Sequence, residues 1–226
     1  RRQRQMCIRD RILPISSSGH LEIGKFFFGN NSIFSSFCSK TPTSPSVVFL
    51  ILILEYTSAA YPSETFSEFL YIGIRRQRMY HFKNSHIVSS YSISTSSEGA
   101  GNMMGSYKTP TGLHQIAEKI GCNAPVATLF VNKKNTGKVV PINKSEISMD
   151  KDEITTRILS LKGLQQGINK GKKYDTFARG IYIHGTSDEA SIGQPSSHGC
   201  IRMKNDDIIE LFDLLSVGAK VVLLNN

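Results

Sequence analysis

The sequence predicts a mainly β domain over residues 66–226, and three features carry that expectation. From Phe69 onward, short apolar and β-branched runs follow one another at close intervals. Asn and Gly stand between them where tight turns need positive φ. Only one stretch, near the C-terminus, repeats its apolar residues at helical spacing.

Taken in order, strands are expected at 70–74, 78–82, 87–94, 126–131, 154–161 and 181–184. Asn84-Ser85 and Asn135-Thr136-Gly137 read as the tight connections between strands. The helix is marked by Ile208, Ile209, Leu211, Phe212, Leu214 and Leu215, with Asn205 or Asp206 as its cap and Gly218 as its stop. Residues 219–224 read as a closing strand, and no repeat of solenoid length occurs.

Residues 1–65 are unlike the rest. They hold a basic start (Arg1, Arg2, Arg4, Arg9, Arg11), a Phe26-Phe27-Phe28 cluster and Ser/Thr/Pro-rich text over 32–46, with no sustained period of 2 or 3.6. Such a segment offers little apolar surface to offset its ordering entropy, so it is expected to be poorly ordered or non-native. The longest apolar run, 47–54, is far short of the about 20 residues that a membrane-spanning helix needs. Followed by Tyr56-Thr57-Ser58-Ala59-Ala60 it resembles a secretory signal, but it begins only at Val47; a buried strand or loose apolar stretch is the preferred reading.

The charge balance, 27 basic against 18 acidic residues for a net +9, favours anionic surfaces. Nucleic acid is rejected as a partner, because neither a binding motif nor an interleaved aromatic stripe accompanies the charge. Four cysteines without a CxxC pair argue against a disulfide scaffold or a zinc ribbon. Cys7, Cys38 and Cys122 are read as small buried hydrophobes.

Chemistry concentrates in Ile183-His184-Gly185-Thr186 and Ser196-Ser197-His198-Gly199-Cys200-Ile201-Arg202. A thiol is a nucleophile only as thiolate, which needs an imidazole or a cation nearby. His198 is two residues from Cys200; His184 ends a strand-like run, and the intervening loop with Gly193 and Pro195 can fold it back. Gly199 lets a substrate approach the backbone, whose N–H groups could hold an oxyanion. A zinc site on the same three side chains is the rival reading, weakened by the lack of an acidic ligand at fixed spacing.

The constellation His-Gly-Thr, loop, Ser-His-Gly-Cys-Ile-Arg resembles the L,D-transpeptidase (YkuD-type) family of peptidoglycan cross-linking enzymes. The resemblance continues upstream through Gln77-Arg78-Met79-Tyr80, Ser94-Thr95-Ser96, Lys108-Thr109-Pro110-Thr111-Gly112 and Thr155-Thr156-Arg157-Ile158-Leu159. It implies the family's β-sandwich or barrel-like sheet with short helices over 66–226. By that likeness Cys200 is the nucleophile toward the diaminopimelate carbonyl of a tetrapeptide stem, releasing D-alanine, and His184 is the general base oriented by the Gly185 carbonyl. His198 shapes the pocket, Gly199 and Cys200 offer N–H groups to the oxyanion, Ser197 supports the loop, and Arg202 meets substrate carboxylates or braces the loop. Lys108, Thr109 and Pro110 are weaker substrate-binding candidates, equally readable as a turn. No cofactor or metal is expected, the partner is a peptidoglycan stem peptide, and the site of action is periplasmic or otherwise outside the cytoplasmic membrane. Water as acceptor (an L,D-carboxypeptidase or endopeptidase) and a lipoprotein lysine remain alternatives, as does a wall-binding module without turnover.

Overall fold

The computed structural model describes residues 67–84, 86–145, 147–148 and 153–226. The expectations for residues 1–65, including the 47–54 run, Cys7 and Cys38, lie outside these residues, as does Ser85.

Ten strands and one α-helix form among the described residues: β1 (Glu68–Gly73), β2 (Arg78–Lys83), β3 (His86–Ser92), β4 (Gly112–Ile120), β5 (Thr128–Val131), β6 (Lys134–Val139), β7 (Ile154–Gly163), β8 (Tyr182–Thr186), β9 (Ile201–Met203), α1 (Asn205–Leu214) and β10 (Lys220–Leu224). Single 3₁₀ turns lie at Lys172–Tyr174 and Glu189–Ser191. The strands make one mixed sheet, a half-barrel in the order β3-β2-β1-β10-β4-β7-β5-β6, with β8 and β9 branching from β7. The last strand is central: β10 pairs parallel with β1 and antiparallel with β4.

The main core gathers Leu70, Ile72, Leu159, Ile183, Ile201 and Val221 from the strands with Ile208, Leu211, Phe212 and Leu215 from the helical segment. Burial of such side chains is worth about 1.5–3 kcal/mol each, so the core outweighs any single polar contact described below. Lys119 reaches from β4 to donate to the Phe212 and Leu215 carbonyls, closing the end of α1 where the helix dipole favours a cation.

Four local expectations change. β4 was not predicted: Leu113 and His114 are both buried and a bulge at Ala117 resets the alternation, so no clean period of 2 survives. The β5–β6 turn is Asn132-Lys133, both at positive φ, whereas Asn135, Thr136 and Gly137 lie inside β6, an exposed edge strand without an apolar signature. Asn205 is not a cap. The N-cap is Lys204, without a side-chain bond, and Asn205 is buried under the sheet. Cys122 is exposed in the turn after β4 instead of buried.

Candidate active site

The site is built on the β8–β9 ladder. These strands pair in parallel, with Ile183 beside Ile201 and His184 beside Arg202. Because side chains alternate across a strand, Ile183 and Ile201 enter the core while Tyr182 and His184 take the opposite face. Cys200 stands in the bend that leads directly into β9, next to Ile201. Cys200 is half-buried, and its Sγ lies 3.5 Å from the Gly180 carbonyl.

His184 is 1% exposed, and its Nδ1 lies 2.7 Å from the Gly185 carbonyl. A carbonyl can only accept, so this contact puts the proton on Nδ1 and leaves Nε2 with its lone pair. Gly185 itself is tightly enclosed: a Cβ there would stand 2.7 Å from Asn205 Oδ1 and 2.9 Å from the Thr155 carbonyl. Asn205 Oδ1 accepts from the hydroxyls of Thr155 and Thr156, and its Nδ2 donates to the Thr186 carbonyl and to Glu189. Behind it, β7 bulges against β8, with Thr156 at φ 66, a rare value for a β-branched residue. The bulge and the Asn205 amide together fill the floor beneath His184-Gly185.

A second network holds the cysteine loop. Ser196 and Ser197 donate their N–H groups to the Thr95 carbonyl, and Gln77 in turn grips Thr95 through its N–H and its hydroxyl. Ser197 Oγ donates to the Cys200 carbonyl at 2.6 Å and accepts the Gly199 N–H at 3.2 Å. The Gly199 N–H therefore points into the loop, not toward an oxyanion as the sequence led one to expect. Thr109 Oγ1 donates to the Gly199 carbonyl at 3.1 Å and accepts the Ser96 N–H. Gly199 has φ 126, and a Cβ would lie 3.2 Å from Ile181 Cδ1; only glycine suits both constraints.

Of the two roles weighed for Arg202, the structure favours the brace: it is 2% exposed and its guanidinium bonds Ser191 and Ser196. Thr109 and Pro110 are buried, and the Thr109 hydroxyl is spent on the loop, so this segment supports the cysteine from below. Lys108 stays half-buried at the rim.

A cleft of about 330 Å³ is lined by Met104, Gly105, Tyr107, Ala178, Arg179, Ile181 and His198, whose chain neighbours Gly180 and Gly199 flank Cys200. His198 is exposed and meets the Tyr107 ring edge-on at 6.2 Å. Arg179 donates to the Gly101 and Lys108 carbonyls. Burial lowers its pKa and raises that of Tyr182, and a negative charge at Cys200 opposes the first shift and adds to the second. Tyr107 and Arg179 escaped the sequence reading, because no local pattern marks a cleft wall assembled from separate loops. Among the described residues no group of three His, Cys, Asp or Glu side chains has metal-binding geometry.

Comparison with known proteins gives the family. The model of the L,D-transpeptidase catalytic domain, YkuD, matches residues 67–223. The chain belongs to that family. Two relatives from Bacillus subtilis strain 168 bear the L,D-transpeptidase name: YqjB is 46% identical over 44 residues, 20% of this chain, and YkuD 51% over 41 residues, 18% of this chain. Each match spans 25% of the relative's own length. Among solved structures, the L,D-transpeptidase from Mycobacterium smegmatis aligns with a TM-score of 0.41 at 16% identity, covering 70% of this chain and 58% of that one. In this L,D-transpeptidase domain His184 lies on β8 and Cys200 at the entry to β9, the strand paired with it.

Proposed function

We propose that this L,D-transpeptidase-family protein is a cysteine acyltransferase acting on peptidoglycan stem peptides outside the cytoplasmic membrane. The observation that supports the reading is the His184 ring, buried, held at Nδ1 by the Gly185 carbonyl, on a strand paired with β9, which Cys200 directly precedes. In the first half-reaction Nε2 of His184 takes the thiol proton and Sγ attacks the diaminopimelate carbonyl. The C–N bond to D-alanine breaks, the imidazolium returns its proton to the departing amine, and a thioester remains. An amine of a second stem then attacks the thioester, His184 takes its proton, and the thiol is regenerated with a new amide bond. Gly185 plays the part of the orienting carboxylate of a serine triad. The Cys200 N–H is the backbone donor assigned to the oxyanion, since that of Gly199 is bound to Ser197.

Water in place of the amine would give a carboxypeptidase from the same half-reaction, so products discriminate the two. Incubation with purified tetrapeptide muropeptides, followed by mass analysis, should give cross-linked dimers and free D-alanine, both lost in Cys200→Ala. Tripeptides without dimers would assign hydrolysis; no release of D-alanine by the folded protein would overturn the reading. Intact-protein mass spectrometry with a penem-type β-lactam should likewise show one adduct, absent from Cys200→Ala.

A further inference from the structure

We propose that Arg179 is the anion-recognition residue of the cleft and holds the C-terminal carboxylate of the donor peptide beside Cys200. The placement is geometric. Arg179 lines the same cleft wall as His198 and Tyr107. Its guanidinium bonds the Lys108 carbonyl, the same oxygen that a Cβ on Gly199 would approach to 3.4 Å, and its neighbour Gly180 presents the carbonyl 3.5 Å from Cys200 Sγ. The side chain thus sits against the loop that carries the thiol.

A guanidinium has five N–H donors, and two of those of Arg179 are directed at backbone carbonyls, Gly101 and Lys108, which accept hydrogen bonds but neutralise no charge. Among the described residues no carboxylate forms an ion pair with it. Asp175, four residues earlier, is occupied by the N–H groups of Gly171 and Ala178. A half-buried guanidinium held only by neutral carbonyls keeps further N–H donors and its full charge, and both suit a carboxylate ligand. The two bonds to the 101–108 segment fix the fork in place, so little side-chain entropy remains to be lost on binding.

The chemistry of the donor says which carboxylate fits. The group expelled is a terminal amino acid, whose carboxylate is separated from the attacked carbon only by its own nitrogen and Cα. A cation in the wall next to the thiol is therefore placed to select stems that end at that residue. This identity of the ligand rests on the transpeptidase reading; the preference for an anion at Cys200 does not.

The two parts are tested separately. Iodoacetate and iodoacetamide alkylate a thiolate by the same step, formation of the Sγ–CH₂ bond with loss of iodide, and differ in charge. Their rate ratio cancels the thiolate fraction, and the exposed Cys122 serves as reference within the same molecule. Peptide-resolved mass spectrometry of the full chain should give an iodoacetate-to-iodoacetamide ratio about tenfold higher at Cys200 than at Cys122, falling as salt is raised. In Arg179→Met the two ratios should agree within about twofold, and Arg179→Lys should keep part of the preference. Equal ratios in the unmodified protein, or an undiminished preference in Arg179→Met, would overturn the proposal; the first arm needs no variant to fold. For the ligand, the tetrapeptide and its C-terminal amide are compared as donors. A drop in kcat/KM of tenfold or more for the amide, abolished in Arg179→Met, is expected. If neither peptide is a donor, the transpeptidase reading fails while the anion preference stands; if both are equal donors, the assignment of the carboxylate fails.

Discussion

His184 and His198 both flank the thiol in sequence, and their surroundings separate them. His184 is buried with Nδ1 against a backbone carbonyl, whereas His198 is exposed and leans on Tyr107 at the cleft wall. Removing the base should lower the thiolate fraction near neutral pH. His184→Ala is therefore expected to slow alkylation of Cys200 by iodoacetamide and to move its pH midpoint toward the free-thiol value of about 8.5. His198→Ala should impair turnover of wall peptides while moving that midpoint less. A larger shift from His198→Ala, with both variants folded by circular dichroism, would exchange the two assignments. Much of this was legible from the motif, since His184, His198 and Cys200 stand within seventeen residues of one another. The direction of the Gly199 N–H was not, because it depends on the Ser197 rotamer.

At the scale of elements, Asn205 shows how a residue can mislead when read locally. As the first polar residue before an apolar helical period it looks like a cap, yet its amide joins β7, β8 and the 3₁₀ turn at Glu189–Ser191. Glu189 takes over the capping work by accepting the Asn205 N–H at 2.8 Å. Asn205→Ala removes the amide partner of the buried Thr155 hydroxyl and Thr186 carbonyl, while the Thr156 hydroxyl keeps the Ala127 N–H, at a cost of about 1–3 kcal/mol for each group left unpaired. We expect a loss of about 3 kcal/mol in urea unfolding, together with slower alkylation of Cys200, because the floor under His184-Gly185 loosens. A variant as stable as the parent would show that water replaces the amide. Asn205→Leu should be no better, since the cavity is lined by oxygens.

For the molecule as a whole, stability should fall in acid through His114. Burial holds its pKa at about 4, with the Arg179 charge adding to the depression, while the ring bonds Gly112 and Thr176. In the unfolded chain a histidine titrates near 6.5. Between these values the unfolded state binds the extra proton, so stability is full above about pH 6.5 and drains away toward pH 4, by about 3 kcal/mol in order of magnitude. Denaturant midpoints across this range should show the slope, and His114→Asn should flatten it while lowering the plateau. An unchanged slope in that variant would pass the effect to other groups. We also expect a chain lacking residues 1–63 to unfold cooperatively and keep activity, as the ten strands among the described residues form one sheet that carries the candidate site. Loss of its thermal transition would show that the first segment completes the core.

Local order is what the sequence by itself determined: the β class, most strand positions, the one helix, and the residues around the thiol. Alternation, helical spacing and turn residues act over a few positions, so they can be read along the chain. Which strands pair was decided only in three dimensions. The last strand, β10, takes the middle of the sheet, and β4 forms although its pattern is broken, because each covers apolar surface that neighbours far away in sequence leave open. The cleft follows the same rule. Arg179 and Tyr107 come from separate loops and carry no motif, and only the packing of the sheet and the cysteine loop brings them into one cleft with His198.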